Sequence, residues 1–260
     1  MAYLTFIGRG QTMRLYRGVG TKGDVLVERA AAAPVQAFSS AVEPILWVSG
    51  RDADGDRTTI ERVALPALIE ERIEWGGGRV GALAASPDGG RVAAVELPDD
   101  IGDRPRLRHW DGIAWQAVAT TPDPEISSKL AWLDDQRVVY ESSERRLTVV
   151  DLGSGRTDVG PPGRLPAAAS VAGEWYAVSG DRVVRFGMGG PPEAPTPVED
   201  FDFRDVASLF VTHDGQVFTW IEPGMLHRLK GYVQRRGQRR KRLSAIDDGI
   251  GAVLGPYDLP

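Results

Sequence analysis

Apolar residues in this chain come in short runs, many alternating with polar positions, and Gly, Pro and Asp break the runs apart. Alternation with period two, carried by β-branched and aromatic residues between turn formers, predicts many short strands. Helical periodicity is nearly absent. The best helical stretch, Ala67–Trp75, is short and abuts Gly76–Gly78. Its spacing of Ile69, Arg72, Ile73 and Trp75 fits a strand equally.

Three segments align with one another: Gly81–Glu96 (GALAASPDGGRVAAVE), Ser128–Ser142 (SKLAWLDDQRVVYES) and Ala207–Glu222 (ASLFVTHDGQVFTWIE). Each reads as an apolar strand, a tight polar turn and a second apolar strand. Asp88–Gly89 and Asp214–Gly215 supply the positive φ that a hairpin needs at little steric cost. Degenerate copies run over Val35–Gly50 and Ala168–Gly180. Two further strands follow each hairpin, as in RLRHW and IAWQAVA after the first segment. The repeat is therefore about 40 residues, the period of a four-stranded propeller blade.

The blades read as 35–75, 79–120, 127–160, 165–199 and 205–245. The ends supply a sixth: LTFIG, MRLYRGV and DVLVERA within 1–31 lack an inner strand, and GIGAVLG within 246–256 lacks outer ones. The expected fold is thus all-β, one six-bladed propeller domain over 1–260, closed by pairing of N- and C-terminal strands in one blade. A ring of this kind leaves only short, protected sheet edges.

SPDGGRVAAVE followed by RLRHWDG resembles the WD-like, TolB-type propeller repeat, in which SPDG lies between the first two strands and a D-x-G-type turn between the last two. The resemblance is sharp over 81–119 and clear over 128–159 and 206–245. It implies a propeller across the whole chain. The chain departs from the pattern in lacking the G-H…W-D set, and a propeller scaffold carries many functions, so the resemblance implies fold rather than activity.

Composition removes whole classes of chemistry. The 260 residues include no Cys, and no Asn occurs. Disulfides, thiolate metal sites and a cysteine nucleophile are excluded together. No run of about 18 apolar residues exists to span a membrane, and no basic, cleavable leader is visible, so a cytoplasmic location is expected. With Lys+Arg 31 against Asp+Glu 36, the net charge is −5, which argues against nucleic-acid binding by the chain as a whole.

Charge is unevenly placed. The loops that lead into each blade's first strand, and those joining its second and third, are expected to share one face. They hold Asp52, Asp54, Asp56, Asp99, Asp100, Asp103, Asp200, Asp202, Asp205, Asp247 and Asp248. Such a face attracts a basic protein segment; solvated, turn-forming aspartates account for the same pattern equally well. The last hairpin carries Arg235, Arg236, Arg239, Arg240, Lys241 and Arg242, on the face away from those loops. It offers a surface for nucleic acid or another anionic partner, or simply protects a sheet edge.

Catalytic patterns are absent. Asp52-Ala-Asp54-Gly-Asp56 resembles the start of a calcium loop, but Arg57 and Val63 occupy the positions that need Gly and Glu. His109, His213 and His227 lack metal-ligand spacing, and no G-x-S-x-G occurs. The tryptophans, at repeated strand positions, read as packing between blades. The sequence therefore points to a non-catalytic scaffold without cofactor or metal, a subunit of a larger bacterial complex. A metal-dependent hydrolase or lyase and an anionic-partner binder are the alternatives.

Overall fold

The computed structural model describes the chain apart from residues 1, 10–11, 20–23, 31–35, 39–44, 52–57, 65–68, 99, 101–102, 121, 126–128, 189–194, 200, 202, 204, 224–228, 244–249 and 258–260. The described residues are all-β apart from one 3-10 turn, Ser170–Ala172. The chain begins with β1 (Ala2–Arg9), β2 (Thr12–Arg17) and β3 (Val25–Ala30). Four strands follow: β4 (Gln36–Phe38), β5 (Ile45–Arg51), β6 (Thr58–Ala64) and β7 (Ile69–Glu74). The ambiguous stretch at Ala67–Trp75 is thus a strand, paired along β6 from Thr59↔Glu74 to Ala64↔Ile69.

The next sets are β8 (Arg79–Ala85), β9 (Val92–Leu97), β10 (Arg106–Trp110), β11 (Trp115–Val118), then β12 (Leu130–Trp132), β13 (Arg137–Glu141), β14 (Arg146–Asp151), β15 (Thr157–Pro162). They are followed by β16 (Arg164–Ala169), β17 (Glu174–Ser179), β18 (Arg182–Gly187), β19 (Thr196–Pro197), then β20 (Ser208–Val211), β21 (Val217–Pro223), β22 (Leu229–Arg235), β23 (Lys241–Arg242) and finally β24 (Ile250–Tyr257).

Each consecutive set of four is one antiparallel sheet in sequence order, and β24 adds to β1 to give a sheet ordered β24-β1-β2-β3. The pairing runs from Ala2↔Tyr257 to Gly8↔Ile250, so backbone hydrogen bonds join the two chain ends. The first strands of successive sheets pack in the order β4, β8, β12, β16, β20, β24. This is a β-propeller with four-stranded blades.

Packing explains why the centres of second strands such as β9 and β17 are runs of apolar residues rather than alternating. Val92, Ala93, Ala94 and Val95 of β9 are all fully buried. Val92 and Ala94 face Trp47, Ile60 and Trp75 of the preceding sheet, while Ala93 and Val95 face Trp132, Val138 and Tyr140 of the following one. The same division recurs at β17, where Trp175 and Ala177 face Val139 and Val149 and Tyr176 and Val178 face Phe218 and Trp220. A strand buried on both faces has no polar side to show.

The hairpin between first and second strands has a shared construction. Ser86 Oγ accepts from Arg91 N–H at 2.9 Å and Thr212 Oγ1 from Val217 N–H at 3.0 Å. Each hydroxyl donates to the aspartate two residues on, Asp88 or Asp214. Gly89 and Gly215 follow with φ of 71° and 67°, a region where any other residue would be strained. Trp47 Nε1 reaches across from the neighbouring sheet to donate to the Gly89 carbonyl at 3.2 Å.

Candidate functional site

Antiparallel order sends the loops into the first strands, and those between second and third strands, to one end of the blades. The hairpin turns and third-to-fourth-strand turns go to the other. Of the eleven aspartates expected on the first end, Asp100 and Asp103 lie between β9 and β10, Asp205 lies just before β20, and all three are exposed. Asp52, Asp54, Asp56, Asp99, Asp200, Asp202, Asp247 and Asp248 lie outside the described residues, as does His227.

The two ends use their carboxylates differently. At the hairpin end, Asp88 accepts from Ser86 Oγ and Gly90 N–H. Asp111 accepts from the N–H groups of Ile113 and Ala114 at 2.8 and 2.9 Å. Asp134 binds the N–H groups of Gln136 and Arg137 and the Arg137 guanidinium, and Asp151 binds Ser154 through N–H and Oγ. Burial opposes ionisation at Asp88 and Asp134, but the bonds outweigh it, and Asp88, Asp111, Asp134 and Asp151 are all held below the usual carboxylate range. Asp100, Asp103 and Asp205 have no such bonds among the described residues.

The loop end also contains a buried acid that sequence reading did not single out. Glu141, at the end of β13, has a side chain only 4% exposed and accepts from Arg145 Nη1 at 3.1 Å. Burial pushes its carboxyl above the usual range; Arg145 opposes this, Glu125 adds to it and Arg164 opposes it. Three connections converge here. Glu125 N–H donates to the Glu141 carbonyl at 2.9 Å, Ser143 N–H to the Asp123 carbonyl at 2.8 Å, and Gly163 N–H to the Arg145 carbonyl at 3.2 Å. Arg104, next to Asp103, bridges to Asp123 at 2.8 Å.

Among the described residues, the non-glycine positions with positive φ are Arg145, Leu165 and Asp205, at 60°, 54° and 42°. All three belong to this end. Backbone held in this region costs free energy and concentrates where loops are fixed for a purpose. The only sequence signal for Glu141 was a charged residue closing an apolar strand.

The basic hairpin divides into anchored and outward groups. Arg236 Nη2 donates to Tyr176 Oη at 3.3 Å; Tyr176 Oη donates to Glu174 Oε2 at 2.6 Å, and Arg185 binds the same Glu174 at 3.1 Å. Arg236 is therefore a strut between two sheets. Arg240 lies 4.7 Å over the Tyr232 ring and bridges to Glu222 at 3.3 Å. Glu222 also accepts from Trp220 Nε1 at 2.8 Å. Arg235, Arg239, Lys241 and Arg242 are exposed.

His109 lies in β10, where burial holds its imidazole below the usual range, and His213 lies in a hairpin turn. Among the described residues no group of three or more His, Asp or Glu is placed to hold a metal ion, and no helix is long and apolar enough to cross a membrane.

With the architecture and charged surfaces placed, comparison with known proteins defines the class. The chain is a β-propeller similar to TolB from Acinetobacter baumannii, at a TM-score of 0.71 and 12% identity, over 97% of this chain and 66% of that one. It spans just under two thirds of that protein's length. A second solved structure with the same fold is a chain of the nidogen/laminin complex, at a TM-score of 0.61 and 9% identity, covering 98% of this chain and 94% of the other. No described family matches the sequence, and no curated protein does either. At these identities the likeness concerns the fold.

Proposed function

We propose that this chain is a non-catalytic protein-interaction module, a closed six-bladed ring whose acidic loop end docks a basic segment of a protein partner within a larger bacterial complex. One observation carries this reading. Asp100, Asp103 and Asp205 stand exposed at the loop end, whereas Asp88, Asp111, Asp134 and Asp151 at the hairpin end are engaged in their own turns, and the exposed Asp135 there meets Arg91 at 3.9 Å. Three aspartates at the loop end are thereby free of turn bonds and able to meet a cation of a partner. Positive φ at Arg145, Leu165 and Asp205 supports the reading, because it fixes loop shape at that same end. The nidogen/laminin structure is itself a complex of two proteins, which shows the architecture in such a setting.

The test is site-specific photocrosslinking in cells of the source organism. A photoreactive residue at Asp103 should capture a discrete protein. The same residue at Ile113, exposed at the opposite end, should not capture it. Asp100→Lys with Asp103→Lys should then abolish capture from a crosslinker at Glu199, which is exposed near Asp205. Capture from Ile113 alone, or capture indifferent to the charge reversal, would overturn the proposal.

A further inference from the structure

Large apolar side chains that stand exposed are unevenly placed on this chain. Among the described residues they are Ile113 at 87% exposure, Val171 at 71%, and Val19, Val25 and Val159, each about half exposed. Single exposed apolar residues are ordinary on a protein surface. What needs a reason is that four of these five share one end of the propeller. Ile113 sits in the β10–β11 turn, Val171 in the 3-10 turn between β16 and β17, Val19 in the β2–β3 connection and Val25 at the first position of β3. First-to-second and third-to-fourth connections all belong to the hairpin end. Val159 lies within a strand, β15.

Charge divides this end into two halves. On the side of Ile113, the β8–β11 and β12–β15 sheets bring Asp88, Asp111, Asp134, Asp135 and Asp151 to their turns. The other half is built from the β16–β19 and β20–β23 sheets and the sheet that joins the chain ends. There the β22–β23 turn presents Arg235 and Arg239, both exposed, while Arg236 and Arg240 tie that turn to the fold. Asp214 in this half accepts from Thr212 Oγ1 at 2.6 Å and from Gln216 N–H at 3.1 Å, and Glu174 binds Arg185 and Tyr176. The exposed Asp24 is offset in charge by Arg17, whose N–H donates to the Asp24 carbonyl at 2.9 Å.

The apolar tips flank the cations. Val171 N–H and Ala172 N–H donate to the His213 carbonyl at 2.8 and 3.0 Å, which seats the Val171 tip on the β20–β21 turn. Arg236 N–H donates to the Gln216 carbonyl at 2.8 Å in that same turn, so the β22–β23 turn follows directly. The sheet that carries Val19 and Val25 comes next, packed through Val253 against Val217 and Val233. Val171, Arg235, Arg239, Val19 and Val25 therefore run across three successive sheets at one end.

We infer that this half of the hairpin end docks on an anionic lipid surface, with Val171, Val19 and Val25 entering the headgroup level and Arg235 and Arg239 meeting lipid phosphates. The tips sit on separate turns of different sheets, and a bilayer surface receives separated tips at once. Apolar tips gain by leaving water, a gain that a nucleic-acid backbone, bound through its phosphates, does not supply. Cations beside apolar residues add attraction to anionic headgroups. This surface lies at the opposite end from the acidic loops, so the inference stands or falls separately from the docking of a basic segment.

The chain has no Cys, so one introduced cysteine labels a single position. The full chain carrying Val171→Cys or Ser143→Cys, each with an environment-sensitive dye, is mixed with vesicles of phosphatidylglycerol and phosphatidylcholine in equal parts. Emission should shift to the blue at Val171 and stay unchanged at Ser143, which is exposed at the loop end. Flotation should show binding to these vesicles, and at least about tenfold weaker binding to phosphatidylcholine alone. Arg235→Gln/Arg239→Gln should weaken binding at least about tenfold through the loss of two surface cations. Val19→Ser/Val171→Ser should weaken it at least about fivefold, and Ile113→Ser, on the acidic half, should leave it unchanged. An unfolding midpoint equal to the parent's ties these losses to lost contacts, and the dye shift, read with both arginines in place, decides the matter where a variant is destabilised. No blue shift at Val171, an equal shift at Ser143, affinity indifferent to the loss of both arginines, or tighter binding of polyglutamate or single-stranded DNA than of the vesicles would overturn the inference.

Discussion

The contact between β24 and β21 of the neighbouring sheet includes a buried hydrogen bond, and Thr219→Val tests its contribution. Thr219, in the middle of β21, and Val253, in β24, are both fully buried. Val253 N–H donates to Thr219 Oγ1 at 3.0 Å. Beside them Val217, Val233 and Val253 form the apolar contact between the two sheets. Valine replaces threonine with nearly the same shape, so packing is retained while the acceptor is lost. A buried N–H left without a partner costs about 1–3 kcal/mol. In a chain of this size each kcal/mol lowers Tm by roughly 2–4 °C, so Thr219→Val should fall by roughly 2–12 °C. Thr219→Ser keeps the acceptor and removes one methyl group, a loss of about 1 kcal/mol, and should be the milder change. Scanning calorimetry measures both variants, and amide exchange should show Val253 losing protection in Thr219→Val but not in Thr219→Ser. A valine variant as stable as the parent, with Val253 still protected, would refute the idea that this bond couples the terminal strand to its neighbour.

Glu141→Gln should alter the pH dependence of stability. The buried carboxyl is held above its unfolded value, so its contribution is fully present below about pH 4.3 and declines as pH rises through the folded value; in urea titrations the glutamine variant should gain on the parent between pH 4 and pH 7, and a constant difference would count against it. Asp134 behaves oppositely: burial raises its pKa, but bonds from Arg137 and Gln136 outweigh that and lower it. Its contribution is present above about pH 3.9 and is lost as pH falls through the folded value, so the advantage of the parent over Asp134→Asn should shrink between pH 6 and pH 3. Trp47 Nε1 and Arg62 Nε both donate to the Gly89 carbonyl at 3.2 Å. Either Trp47→Phe or Arg62→Ala alone leaves that carbonyl one donor, so the double variant should cost at least about 0.5 kcal/mol more than the sum of the singles in a double-mutant cycle.

The strands were legible because burial on both faces leaves an unmistakable trace. Val92–Val95 reads as one apolar run bounded by Asp88–Gly89 before it and turn formers after it, and β9 occupies that place. RLRHW coincides with β10, and the chain-end strands pair as their complementary deficits suggested. The candidate surfaces were legible only as composition. An aspartate two or three residues before an available N–H, as at Asp111 or Asp134, satisfies itself in a turn. Asp100 and Asp103 carry no such pattern, yet the residue type alone does not reveal the difference. Arg236 and Arg240 looked like their neighbours in RRGQRRKR. Their roles arise from Tyr176, 60 residues away on the neighbouring sheet, and from Glu222, 18 residues away on the same sheet, contacts that only the tertiary fold creates. Glu141 was hidden for the same reason: its burial comes from neighbouring connections packed around β13.

The arrangement gives the two ends of the propeller different physical tasks. β9, β13 and β17 are each buried between two neighbouring sheets, so the core runs through successive blade contacts. Hairpin-end carboxylates serve that framework locally by tying turns together, and removing them exposes turn N–H groups to competition from water. Asp100, Asp103 and Asp205 take no such part, although the backbone carrying Asp205 is held at positive φ. Their charge is therefore an expense of self-repulsion without a compensating bond in the isolated chain. An exposed carboxylate without a bond of its own gains most when a cation from outside arrives, and the gain does not require the framework to move. That uncommitted charge at the loop end is what the proposed docking of a basic segment would use.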